Sequence, residues 1–121
     1  MVYAAIKSSP DFQRDFRLSG QITAAAVSSM SNIPGGFSRR SNKEFVQYLF
    51  ISKSSATEVQ SEAYVALDQK YVSQESFQEI YNQAEKVSKL DSGLITYLLD
   101  NEKRYKKLGK QSERKKRSEP K

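Results

Sequence analysis

The chain has 121 residues, 37% of them hydrophobic, and contains neither cysteine nor histidine. That length suits one domain, and the two missing residue types exclude disulfide scaffolds, the commonest zinc sites, thiol nucleophiles and imidazole catalysis. Residues 1–100 hold 10 Lys/Arg against 11 Asp/Glu, whereas residues 101–121 hold 10 against 3, so the net charge of +6 belongs to the C-terminal end.

The first residues, Met-Val-Tyr-Ala-Ala-Ile-Lys-Ser, place apolar side chains at 2, 3 and 6 on one helical face. No basic start with a long apolar run marks a signal peptide. No stretch approaches the roughly 18 apolar residues of a membrane span. A cytoplasmic protein without a membrane partner is the expectation. Pro10 is expected to close this short helix, and residues 9–17 to form a polar connection anchored by Phe12 and Phe16. From about Leu18 a second helix is predicted, with Leu18, Ile22, Ala25 and Ser29 on its inner face. The Ala24-Ala25-Ala26 run favours helix, and small residues let a neighbour come close. Pro34 is expected to end it, before Gly35-Gly36.

Ser41-Asn42-Lys43-Glu44 fits a capping box. The face that follows, Phe45, Leu49, Ser52, Ala56, Val59, Ala63, Ala66 and Leu67, predicts a helix to about Gln69, roughly 42 Å long. Such a length suits a bundle. Ser73 can cap the next helix, whose stripe is Phe77, Ile80, Tyr81, Ala84, Val87, Leu94, Ile95 and Leu98, ending near Lys106. Past Gly109 the chain is too polar to bury anything and reads as disordered. No strand pattern occurs. The expected architecture is an all-α, antiparallel up-down-up-down four-helix bundle over residues 1–108, with a shortened first helix and a basic disordered tail at 109–121.

Gln21-Ile22, Ala25-Ala26-Val27-Ser28, Ser31-Asn32-Ile33, Gly36, Arg40 and Lys43-Glu44-Phe45, with Ser54-Ser55, Glu58 and Tyr71-Val72 downstream, resemble the four-helix-bundle proteins encoded in intervening sequences of bacterial ribosomal RNA genes. The accessory variability protein of diversity-generating retroelements looks like a relative. The resemblance spans about Val2 to Leu99 and is most specific from Ser31 to Phe45. It implies an up-down bundle and, as in members of known structure, a ring of five subunits; it does not imply an enzyme, and nucleic-acid binding is the favoured role for some members. Two departures stand out. Thr23-Ala24 replaces an Arg-Arg pair, and Asn32-Ile33-Pro34-Gly35-Gly36 replaces Asn-Ile-Ala-Glu-Gly, which removes a carboxylate. The family's first helix is also longer, so here the chain either begins inside that helix or has lost part of it. The groove left uncovered would then be buried by association.

Arg39-Arg40 and Lys43 lie at a helix N-terminus, where backbone N–H groups and arginine forks suit phosphate. A solvated corner, or ion pairs with a neighbouring subunit's acids, fits the same residues. Asn32 is read as a turn residue bonding nearby backbone. Glu58 and Glu62 lie one turn apart, but without histidine a di-metal bundle site is not expected. An ion pair of Glu58 with an arginine is the better reading. Lys103, Arg104, Lys106, Lys107, Lys110, Arg114, Lys115, Lys116 and Arg117 form the strongest electrostatic feature, suited to phosphate backbones without sequence preference.

The expectation is therefore a non-enzymatic, self-assembling bundle, a homopentamer by resemblance, with RNA or DNA as its partner. The alternative is a structural or protein-interaction oligomer whose tail only keeps it soluble. No cofactor, metal or small-molecule substrate is expected.

Overall fold

The structure, a computed structural model, describes residues 1–37 and 42–118. These form α1 (Val2–Lys7), α2 (Pro10–Arg14), α3 (Phe16–Phe37), α4 (Asn42–Asp68) and α5 (Gln74–Ser118), with no strand among the described residues.

Pro10 opens a helix instead of closing one. Ser9 is extended, its hydroxyl accepts from the Phe12 N–H at 3.2 Å, and Pro10 takes the first helical position, where its missing N–H removes no hydrogen bond. Phe12 is completely buried, as anticipated, but Phe16 is 83% exposed. The reason is periodic. Phe16 lies about 200° around α3 from Leu18, so the rotation that buries Leu18 turns Phe16 outward.

Asp15 links three parts of the chain. One carboxylate oxygen accepts from the Leu18 N–H at 3.0 Å, capping α3, and the other accepts from the Tyr71 hydroxyl at 3.0 Å. That bond, then burial, holds the Tyr71 phenol above its ordinary value. The Tyr71 ring stacks on Phe12 with centroids 5.4 Å apart. Asp15→Ala should cost about 1–2 kcal/mol as a lost cap, read as a lower urea midpoint at unchanged slope.

The α3 helix passes through Pro34 to Phe37, where the sequence reading stopped it at the proline. Only three residues of α3 follow Pro34, so the missing N–H costs one bond in the last turn and breaks nothing downstream. Ser41, the expected cap of α4, lies outside the described residues.

Small side chains let α3 and α4 approach. The Ser52 hydroxyl donates to the Ser29 carbonyl at 2.8 Å, and the Ser55 hydroxyl to the Ser28 hydroxyl at 3.0 Å. Ala25, Ala56, Ala63 and Ala66 are buried along the same seam. A tight turn then reverses the chain. The Tyr71 N–H bonds the Ala66 carbonyl at 2.9 Å and the Lys70 N–H bonds the Leu67 carbonyl at 3.0 Å. Lys70 adopts the left-handed region, φ 60°, in the place where glycine usually closes such a turn. Ser73 caps α5 by accepting from the Ser76 N–H at 3.1 Å.

Both α3 and α5 pack along α4 and hardly touch each other. The fourth corner of the bundle is held by α1 alone, through Val2 and Ala5. Beside α1 lies a groove of about 520 Å³ between α3 and α5, with Val2, Val27, Val59, Ile80 and Val87 in its lining.

Candidate nucleic-acid interface

The basic residues are positioned by a helix that outruns its partners. α4 has 27 residues and α5 has 45. The two helices run antiparallel, and the last cluster they share joins Val46 and Leu49 to Ile95, with Phe45, Leu94 and Leu98 packed around it. After Leu99 the rest of α5, nearly 30 Å at 1.5 Å per residue, extends past the bundle as far as Ser118.

α5 thus runs past Lys106, where the sequence reading ended it, to Ser118. Apart from Gly109 and the serines, the run to Ser118 is made of Lys, Gln, Glu and Arg, straight-chain residues that lose little rotamer freedom in a helix. The first proline comes only at position 120. An exposed Lys106–Glu102 pair at 3.8 Å bridges one turn and contributes only a few tenths of a kcal/mol.

Helical continuity turns a charge run into a stripe. Positions 103, 107, 110, 114 and 117 recur at spacings of four, three, four and three, so they share one face over roughly 21 Å. Lys103, Arg104, Lys106 and Lys107 are exposed. Positions 104, 115 and 116 fall on other faces. Lys43, exposed in the first turn of α4, stands at the end of the bundle from which the extension emerges. Arg39 and Arg40 lie outside the described residues.

The expected Glu58–arginine pair is not formed within the described residues. Glu58 is exposed, on the outer side of α4 beside a shallow pocket with Gln21, Ala24 and Glu62. Burial, then repulsion from Glu58, holds the Glu62 carboxyl above the usual glutamate range, and its Oε2 has no hydrogen-bond partner among the described residues. Among the described residues no group of three or more acidic side chains could hold a metal ion. No described helix is long and apolar enough to cross a membrane.

Asp91 was missed by the sequence reading. It is fully buried on α5, and among the described residues neither carboxylate oxygen has a hydrogen-bond partner. Burial raises its pKa, while Ser52 and Lys53 pull weakly the other way. The single Ser52 proton is already committed to Ser29. The spacing contained the signal, because Val87, Asp91 and Ile95 recur every four residues on the core stripe.

The sequence matches the 23S rRNA-intervening sequence protein family over residues 1–93. The chain belongs to that family. Among solved structures it is similar to a protein of unknown function from the S23 ribosomal protein family of Bacteroides thetaiotaomicron VPI-5482. That likeness has a TM-score of 0.69 and 23% identity, covering 78% of this chain and 84% of the other. It speaks for the fold alone. No curated protein matches the chain. The 23S rRNA-intervening sequence family match ends at Gly93, so the whole basic extension lies beyond the matched residues.

Proposed function

We propose that this 23S rRNA-intervening sequence family member is a non-enzymatic, self-assembling cytoplasmic bundle, with five subunits as the resemblance implies. In this reading it holds RNA or DNA through the phosphate backbone. The observation that carries the reading is the basic stripe on a continuous helix projecting from a nearly neutral bundle. Lysines and arginines on a helical face reach successive phosphates and release condensed counterions, an affinity that carries no base information. Lys43, Arg39 and Arg40 supply a second basic element. Aromatic residues are scarce in the extension, Tyr105 being its only one, so stacking adds little specificity.

The test is binding to mixed-sequence RNA and duplex DNA across a salt series. Neutralising about five phosphates gives roughly a 500-fold loss of duplex affinity between 50 and 200 mM salt. Glutamine at positions 103, 107, 110, 114 and 117 should weaken the binding strongly and flatten its salt dependence. Absence of binding at low salt by the unaltered protein would end the proposal.

The apolar groove beside α1 favours a second reading, a structural or protein-interaction oligomer with no nucleic-acid role. Co-purification of a protein partner that resists nuclease would select it. For either reading, sedimentation of a clean 13.8 kDa monomer at micromolar concentration contradicts self-assembly.

A further inference from the structure

We infer that the outer face of α4, around Glu58 and Glu62, docks the α5 extension of a second copy of this chain through Lys103 and Lys107. The inference rests on the self-assembly proposed above and names its surface.

The face lies on the side of α4 turned away from the core. Burial of Val59, Ala63 and Ala66 leaves Ser54, Thr57, Glu58 and Ser61 exposed on the opposite side of the helix. Two shallow depressions flank the carboxylates. One, of about 460 Å³, is lined by Phe50, Lys53, Ser54 and Thr57 beside the pair. The other, of about 570 Å³, runs over to Gln21, Ala24 and Ser28 of α3. Short side chains on both helices leave room for a third helix to come close. Phe50, 51% exposed, presents a ring on which lysine stems can pack.

The face is short of cations. Among the described residues, Lys53 is the only basic side chain lining either depression. No ion pair among those residues reaches Glu58 or Glu62. The Glu62 Oε2 is shut off from water and has no hydrogen-bond partner among them, so it gains most from a donor that arrives with a partner.

Direction and charge single out a neighbour's extension. The extension leaves the bundle at the Val46 end of α4, and Glu58 lies about 18 Å back along α4 from Val46. It therefore points away from its own Glu58 and meets that face only on another copy. Lys103 and Lys107 are exposed and four residues apart, as Glu58 and Glu62 are, so each pair spans about 6 Å of helix axis. Within α4, Glu44, Glu58, Glu62 and Asp68 outnumber Lys43 and Lys53, while the extension is strongly basic. One exposed ion pair contributes little. A two-on-two match sets partner and register, and repetition in every subunit multiplies it. Positions 110, 114 and 117 of the stripe stay free for phosphate.

Light scattering on the full chain at low salt tests the surface. Glu58→Lys with Glu62→Lys should at least halve the mass of the assembly, and so should Lys103→Glu with Lys107→Glu. Circular dichroism checks that helix content persists, and Glu58→Lys alone takes the place of the α4 pair should Glu62→Lys reduce it. Mixed in equal amounts, the two charge-reversed proteins should recover the heavier species, because each supplies the charge the other now needs. An assembled wild type whose mass neither variant changes overturns the surface but not self-assembly. A monomeric wild type overturns both. Loss of mass in one variant only, or in both without recovery on mixing, overturns the pairing of these residues. The mass is read without nucleic acid, so failure of phosphate binding is a separate result.

Discussion

Phe12→Ala should lower stability by about 3–5 kcal/mol, the cost of deleting a fully buried aromatic side chain and leaving its cavity. Phe12 is completely buried in the main core cluster with Val2, Ala5, Leu18 and Val72. It also stacks on Tyr71, whose hydroxyl reaches the Asp15 cap of α3. Truncation therefore loosens the join between the first residues, the start of α3 and the turn before α5 together. Against a usual total of 5–15 kcal/mol, that is a large fraction. Urea unfolding measures it as a lower midpoint. Phe16→Ala is the control. Phe16 is 83% exposed, and its removal should stay within about 0.5 kcal/mol. Equal losses from the two variants would contradict the observed packing.

Asp91→Leu should stabilise the protein at neutral pH by about 1–3 kcal/mol, because a buried carboxylate with no hydrogen-bond partner is replaced by an apolar side chain of similar size. The pH dependence has a definite sign. Burial raises the folded-state pKa of Asp91 above its ordinary value, so the folded chain holds this proton more tightly than the unfolded chain. Stability linked to Asp91 is then fully present below about pH 4, the ordinary aspartate value. It declines as pH rises to the raised folded value and is flat above it. Glu62 is shifted in the same direction and should leave a residual slope in the variant. Thermal melts of both proteins from pH 3 to 8 measure the difference. A leucine variant that is less stable at pH 7 would show that Asp91 holds the helices in register instead of opposing them.

The long helices were readable because burial imposes a period on the sequence. Leu49, Ser52, Ala56, Val59, Ala63 and Ala66 were picked out from spacing and are buried in α4. Val46 and Ser55 were not, although both are buried there, since the apolar arc of a central helix is wider than the stripe that defines it. Phe12 and Phe16 had equal claims as anchors. Rotation about α3 separated them, and rotation is fixed only when a cap such as Asp15 sets where the helix begins.

The candidate interface was legible in composition but not in shape. Lys103 to Arg117 stood out as a charge run, and without a backbone such a run is a diffuse cloud. Continuation of α5 through Gly109 made it a stripe.

The sequence by itself determined the helical class, the two long core stripes, the family and the location of the positive charge. Each depends on residue types and spacings that hold in any arrangement of the helices. Only the tertiary structure decided that Asp91 is buried without a hydrogen-bond partner among the described residues and that Phe16 faces out. These are relations between helices that meet from distant parts of the chain, and local periodicity contains no information about what stands opposite a side chain.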